Sequence, residues 1–300
     1  MWLTAYGRNF YGMIGASCVS NTYAALFDGV NDYAVYSNGS PLITPSTGSA
    51  TQAIISKWVK IDKVSAGGGQ FFWTQGAYAN NVNDFWRIAY QGNNSGGTAL
   101  NRLIVEWRAS GSGNNIQKQF ALHSNSAITG STSATNQWLS TNSNITTNPN
   151  GYVHICAIFD LPPTGQAMST GNLDVYWNGQ LLTNTAVDQK QGTSQTTIIN
   201  NYWNLGCNGS NISSFHEGKI DEMFILNGSP FASFKSDKSL TTNQDVANYL
   251  YNSGCPVDIG TDGRYDFGWW RFENSWNGGP TATYGAFSPL NGATFSTDYA

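Results

Sequence analysis

The chain has 300 residues, of which only 11% are charged and 14% are aromatic, and its formal net charge is −4. This aromatic content is too high for a disordered chain, and so few charged residues do not favour long solvent-exposed helices. An acidic balance without a Lys/Arg cluster argues against a nucleic-acid or anionic-membrane partner. No apolar stretch approaches the roughly 18 residues that a membrane span requires.

Residues 1–22 show neither helical nor strand periodicity, although they contain four aromatic residues, Trp2, Tyr6, Phe10 and Tyr11. A terminal segment of this kind is poorly ordered unless it is tied down. We therefore predict an N-terminal arm that serves in assembly or docking.

Short runs rich in β-branched and aromatic residues follow from Tyr23 onward, separated by Gly-, Asn- and Ser-rich turns. The predicted strands are two within 26–36, then 53–61, 71–73, 85–90, 103–107, 152–160, 173–177, 203–207 and 219–226. Residues 124–150 are predicted to form one long surface excursion. Asn178-Gly179 between two alternating runs predicts a type I′ hairpin turn.

One short helix is predicted after Thr241, which forms a capping-box pattern with Gln244. Val246, Tyr249 and Leu250 give the helix an apolar stripe. About ten to fourteen strands and one short helix, without alternation of strands and helices, predict an all-β fold: a two-sheet antiparallel β-sandwich.

Four segments, taken in order, resemble the laminin-G-like, concanavalin A-like jelly-roll family. They are LFDGVNDY at 26–33, IISKWVK at 54–60, GYVHICA at 151–157 with GNLDVYWNG at 171–179, and GKIDEMFI at 218–225. The resemblance implies a jelly-roll sandwich over residues 23–256.

The C-terminal segment, residues 257–300, resembles the leading portion of that family at 268–274 and 290–295. It either completes or extends the sandwich or begins a second module. Alternation along a strand places Trp270 and Phe272 on one face and Trp269 and Arg271 on the other. We expect the first pair to pack near residues 27–36.

The family resemblance implies a calcium site, because some members bind calcium where the FDGxxD turn approaches the ID strand. The candidate ligands are Asp28, Asn31, Asp32 and Asp221. Calcium requires six to eight oxygens, including carboxylates and turn carbonyls. The alternative is that Asp28 and Asp32 only accept hydrogen bonds from their own turn.

Five aromatic residues lie at predicted strand ends or in polar loops and are candidates for stacking on sugar rings. They are Trp73, Tyr78, Trp138, Tyr202 and Trp203. The alternative for each is that it closes one end of the sandwich.

Catalysis is not expected. A retaining glycosidase needs two carboxyl groups about 5–5.5 Å apart, and laminarinase-like relatives space their acidic residues as ExDxxE. Glu217, Asp221 and Glu222 break that spacing, and strand alternation predicts that Asp221 and Glu222 point to opposite faces. Glu222 is expected to meet a Lys or Arg, and His154 to be structural.

The four cysteines form no CxxC pair, which argues against a metal cluster. Cys156 and Cys207 lie in apolar runs and are predicted to be buried. Cys18 and Cys255 can pair only if the ends of the chain meet.

The tail, the Asn-, Gly- and Ser-rich composition and the absence of a signal-peptide pattern resemble laminin-G-like modules of tailed-phage virion proteins. The first hypothesis is therefore a non-enzymatic protein on the virion surface, a decoration, fibre or tail component, whose sandwich binds host glycans or covers the particle. Its expected partners are other virion proteins or copies of itself, contacted through residues 1–22. The alternative is a secreted or cell-surface carbohydrate-binding or adhesion module, and the third possibility is a polysaccharide-active enzyme.

Overall fold

A computed structural model shows two antiparallel sheets packed face to face. It describes residues 18, 21–37, 48–63, 69–75, 85–93, 99–108, 115–121, 151–163, 166, 170–182, 185–191, 202–207, 215–259, 269–278, 284–297 and 300. The predicted excursion at 124–150 and most of the predicted arm at 1–22 lie outside these residues. No helix among the described residues is long and apolar enough to cross a membrane.

The first sheet has eight strands in the order β10-β9-β8-β3-β13-β1-β17, with β14 also paired to β13. Its strands are β1 (Ala24–Asp28), β3 (Thr51–Lys63), β8 (Val153–Leu161), β9 (Leu173–Trp177), β10 (Gln180–Leu181), β13 (Glu217–Asn227), β14 (Trp269–Trp270) and β17 (Thr294–Ser296).

The second sheet has nine strands in the order β11-β7-β6-β5-β4-β12-β2-β16-β15. Its strands are β2 (Tyr33–Ser37), β4 (Gly69–Gln75), β5 (Phe85–Asn93), β6 (Ala99–Arg108), β7 (Asn115–Ala121), β11 (Thr185–Gln191), β12 (Tyr202–Leu205), β15 (Asn277–Gly278) and β16 (Tyr284–Leu290). The predicted all-β antiparallel sandwich is confirmed, although the described residues form more strands than expected.

The main core lies between the two sheets and follows the strand alternation. Along β3, Ile55, Val59 and Ile61 point into it, and along β6 it receives Val105 and Trp107. Because successive side chains of a strand point to opposite faces, Ser56, Trp58 and Lys60 of β3 and Glu106 of β6 belong to the outer faces of the sandwich.

A second apolar layer covers the outer face of the eight-stranded sheet. Helices α1 (Gly228–Asp237) and α2 (Asn243–Tyr251) supply Phe231, Phe234 and Leu250 to it, which pack with Ile54 and Trp269 of the sheet. This outer face is therefore occupied by the protein's own helices.

The helices differ from the sequence prediction in two ways. The N-cap of α2 is Thr242, whose side chain accepts a hydrogen bond from the Asp245 amide in a reciprocal capping box, whereas the predicted box began at Thr241. The prediction missed α1, whose opening sequence Gly228-Ser229-Pro230 is typical of a turn.

The C-terminal strands join both sheets. β14 pairs with β13, β16 with β2 and β17 with β1. Trp270 and Phe272 are both buried in the main core, where the Trp270 ring lies 5.8 Å from Tyr36 and 5.7 Å from Phe287 between centroids. Trp270, Phe272 and Phe287 thus belong to the main core and cover side chains of earlier strands such as Tyr36.

The Asn178-Gly179 turn is confirmed. Both residues have positive φ, 49° and 75°, as a type I′ turn requires, and they join β9 to β10. Glycine suits the second position because it adopts such angles without steric cost.

The first described residue, Cys18, is linked covalently to the segment that follows α2. Cys18 and Cys255 form a disulfide across 237 residues of sequence, with their Cα atoms 5.7 Å apart. An isolated antiparallel β-bridge between Cys18 and Val257 lies beside this disulfide. Cys156 and Cys207 are free and buried, as predicted.

Candidate functional site

One cross-strand row on the nine-stranded sheet is polar almost throughout. From β11 to β16, the residues paired in register along it are Gln189, Gln117, Glu106, Arg87, Thr74, Asn204, Val35 and Ser288. The sequence neighbours Val105, Leu205 and Phe287 lie in the main core, so alternation places Glu106, Asn204 and Ser288 on the outer face. With strands about 4.8 Å apart, the polar row is about 34 Å long.

The polar row contains an ion pair and runs beside an apolar pair. The Arg87 guanidinium lies 2.7 Å from the Glu106 carboxylate, which is almost fully buried. Two residues along the same strands, Ala89 and Ile104 face each other and form a small buried apolar cluster. Hydrogen-bonding groups and apolar surface therefore lie side by side on this face.

Asn204 lies in the middle of the polar row and is 0% exposed. Neither its Oδ1 nor its Nδ2 has a hydrogen-bond partner among the described residues. Burying an amide without a partner costs free energy, so this position calls for a ligand or an ordered water. Val35, paired with Asn204 in register, is half-buried, and Ser288 at the end of the row is exposed.

The sequence prediction missed Asn204, Arg87 and Glu106 as a group. The signal was present, because each strand shows a polar residue next to a core residue in the alternating pattern. The register that aligns Arg87 with Asn204 through β4 depends on pairing between strands far apart in sequence.

The side chains of the five aromatic candidates lie outside what the structure describes. Tyr78 and Trp138 lie outside the described residues, and for the other three only the backbone is described. In register, Trp73 is paired with Leu205 and Trp203 with Tyr36, and both partners are core residues. Tyr202 is paired with Ser37 and lies two positions before Asn204 in β12. A role for these aromatic residues in sugar binding remains a prediction.

The four calcium candidates are not brought together. Asp28 and Asp32 share a turn, but in register Asp28 lies opposite Glu217, four residues along β13 from Asp221. At about 3.3 Å per residue this separation is about 13 Å. Asp221 is therefore placed in a different buried cluster.

The turn itself has the Asx geometry. Asp28 Oδ1 accepts hydrogen bonds from the amides of Val30 and Asn31 at 2.8 and 3.3 Å, and Asp32 Oδ2 accepts one from the Asp28 amide at 3.1 Å. Although burial works in the opposite direction, these N–H donors lower the pKa of Asp28. Burial raises the pKa of Asp32, and the charge of Asp28 adds to the rise.

One buried oxygen of this turn has no partner among the described residues. The atom is Oδ1 of Asp32, a residue that is 5% exposed. The described residues contain no group of three or more His, Cys, Asp or Glu side chains that could hold a metal ion. Calcium requires six to eight oxygens, and calcium binding remains a prediction.

Asp221 and Glu222 form a buried cluster with residues from both ends of the chain. Asn21 Nδ2 donates to Asp221 Oδ2 at 3.0 Å, and the Ala300 amide donates to the same oxygen at 3.1 Å. Glu222 accepts hydrogen bonds from Trp269 Nε1 and, at 3.2 Å, from Arg271 Nε. The expected pairing of Glu222 with a basic residue is confirmed.

The expectation that Asp221 and Glu222 point to opposite faces is wrong. The register of β13 against β3 shifts between Asp221 and Phe224, and Glu222 has a positive φ of 44°. An extra residue in one strand interrupts the alternation, and both carboxyl groups therefore join one network. Burial raises the pKa of Glu222 to about 7, against the lowering effect of Arg271, and burial together with the Glu222 charge raises the pKa of Asp221.

His154 has the structural role that the sequence suggested. Its Nε2 lies 2.7 Å from the Ser56 hydroxyl, and its ring lies beside those of Trp58 and Tyr251, at centroid distances of 5.2 and 6.1 Å. Burial lowers the pKa of His154 to about 3, so its ring is neutral at pH 7.

No protein-family model matches the chain, and no curated protein matches it. Among solved structures, it is similar to a native heptameric SAP-like pentraxin from Limulus polyphemus, at 10% identity over 93% of this chain and 97% of that one, with a TM-score of 0.45. A putative carbohydrate binding protein from Bacteroides ovatus has 12% identity over 93% and 60%, with a TM-score of 0.47. The CBM40 of Ruminococcus gnavus IT-sialidase has 12% identity over 68% and 89%, with a TM-score of 0.37. These similarities are too low to assign a family.

Proposed function

We propose that this chain is a non-enzymatic, surface-displayed carbohydrate-binding domain whose binding face is the outer face of the nine-stranded sheet. The observation that carries the proposal is the polar row, with the unpartnered Asn204 amide at its centre.

The chemistry of this face matches a sugar better than a purely apolar or purely ionic ligand. An amide offers a carbonyl acceptor and two N–H donors, and a sugar hydroxyl both donates and accepts. The apolar pair of Ala89 and Ile104 lies alongside, buried in the same face. Binding sites of this kind combine apolar lining with a few placed polar groups.

Asp221 and Glu222, which were considered for glycoside hydrolysis, are engaged in contacts within the protein. Both Asp221 oxygens accept hydrogen bonds from protein N–H groups, and both Glu222 oxygens accept from Trp269 and Arg271. Glu106 is paired with Arg87. These contacts support binding without turnover.

The disulfide supports display outside a reducing compartment. Disulfides persist in extracellular settings and on virion surfaces and are rare in the cytosol, and Cys18 is exposed. Both a virion-surface role and a secreted or cell-surface role are compatible with this setting. Electron microscopy of labelled native particles and cells distinguishes the two, and the virion role predicts label on particles.

The proposal is tested with the purified full chain on an array of neutral and acidic glycans and in a reducing-end release assay. We expect binding without release. Val35→Trp, in the polar row, should obstruct binding, whereas the matched Val30→Trp, on the exposed Asp28–Asp32 turn, should bind as the natural sequence does. Circular dichroism checks that both variants fold. Equal loss in both variants, or no binding to any glycan, would contradict the proposal.

A further inference from the structure

We infer that Asn204 is the specificity-determining residue of this face and binds two adjacent hydroxyl groups of the glycan. The inference rests on the proposed function and names the recognition chemistry of the same face. It follows from the place of Asn204 in the sheet, from its lack of partners and from the nature of its neighbours.

The Asn204 side chain is not needed by its own strand. β12 pairs on one side with β4 and on the other with β2, with Asn204 opposite Thr74 and Val35 in register. Asparagine often stabilises turns by bonding to nearby backbone groups, but neither atom of this amide has a partner among the described residues. Asn204 also lies in a central strand, where β-branched residues are favoured over asparagine.

The fold is therefore less stable with Asn204 than with an apolar residue of similar size. A buried amide without partners loses its hydrogen bonds to water and gains none. Local choices that conflict with the fold are expected mainly at functional sites. The nearby charged pair shows the contrast, because Arg87 and Glu106 form an ion pair at 2.7 Å.

The ligand group follows from the geometry of an amide. Oδ1 accepts and Nδ2 donates, side by side in one plane. Two hydroxyl groups on neighbouring carbons present one donor and one acceptor at matching spacing, which is the arrangement on a pyranose ring. Asn204 is fully buried, so the ligand reaches it only when neighbouring side chains move, and binding that needs such a change is slower than usual.

The experiment compares Asn204→Val and Asn204→Thr with the control Ser233→Val, at an exposed position of helix α1, which packs on the other sheet. Each full chain is measured for its thermal midpoint and for binding to an array that contains cellotetraose, laminaritetraose, mannotetraose, xylotetraose, chitotetraose and 3′-sialyllactose. We expect Asn204→Val to raise the midpoint by about 2–4 °C and to weaken binding at least tenfold. Ser233→Val should change neither, and Asn204→Thr provides the same comparison if Asn204→Val does not fold.

Three results overturn the inference. An unchanged or lower midpoint in both Asn204 variants would show that the amide holds a structural partner such as a buried water. A higher midpoint with unchanged binding would leave the proposed function standing and remove Asn204 from it. Absence of binding by the natural sequence to every probe would instead refute the proposed function, and with it the role of Asn204.

Discussion

Replacing Trp270 by alanine should destabilise the whole sandwich, because this C-terminal residue fills the core between the two sheets. Its side chain is 0% exposed and packs against Tyr36 of β2 and Phe287 of β16. Its strand, β14, pairs with β13 in the eight-stranded sheet, whereas β2 and β16 belong to the nine-stranded sheet. The substitution thus leaves a cavity where three separate parts of the chain meet.

The expected loss is about 3–5 kcal/mol of unfolding free energy, the range for Trp or Phe to Ala in a core. The upper half of this range applies, since edge-to-face aromatic pairs add about 0.5–1.5 kcal/mol beyond their buried area. Proteins are stable by only about 5–15 kcal/mol. For a chain of this size the corresponding fall in thermal midpoint is roughly 10 °C.

Urea unfolding followed by far-ultraviolet circular dichroism measures this loss. The control is Val30→Ala, whose side chain is 70% exposed and which should change the free energy by less than about 0.5 kcal/mol. A chain truncated after residue 256 should aggregate for the same reason, because it exposes Tyr36 and the neighbouring core. A loss below about 1 kcal/mol for Trp270→Ala, with a soluble and stable truncated chain, would refute the reasoning.

Three further predictions concern the disulfide, the titrating groups and calcium. Reducing the bond between Cys18 and Cys255 should lower the unfolding free energy by about 5 kcal/mol, because it opens a loop of 237 residues; urea unfolding with and without reductant measures this, and an unchanged midpoint would contradict it. Acid should destabilise the chain below about pH 6.5, since the unfolded state protonates His154 near 6.5 and the folded state only near pH 3. Glu222 opposes this loss, because its pKa near 7 lets the folded state take up a proton that the unfolded state binds only near pH 4.5. Glu222→Gln should therefore make the fall in stability between pH 7 and 4.5 steeper, by up to about 1.4 kcal/mol per pH unit. An equal slope in the variant would be inconsistent with a buried Glu222. Calcium should raise the thermal midpoint relative to chelator if the Asp28–Asp32 turn binds it, and an identical midpoint in both would exclude the site.

Local features of the fold followed from the sequence because their causes are local. The Asn178-Gly179 turn depends on two residues that tolerate positive φ, and β9 was predicted with its observed bounds, Leu173–Trp177. The buried positions of Cys156 and Cys207 followed from the apolar runs around them.

Features that depend on distant pairing could not be predicted in this way. The bulge at Glu222 arises where β13 pairs with β3, and no pattern within the sequence of β13 predicts the extra residue. The disulfide required Cys18 and Cys255 to meet across 237 residues. The polar row likewise requires the register of eight strands, so Asn204 looked like one of many asparagines in the sequence.

Hydrogen exchange of the full chain, with and without a bound oligosaccharide from the array, tests most directly whether the outer face of the nine-stranded sheet is the binding face. The account predicts slower exchange in β12 around Asn204 and in the paired segments of β2 and β4, with unchanged exchange in α1 and α2. Protection confined to the Asp28–Asp32 turn, or to the helices on the opposite sheet, would contradict it.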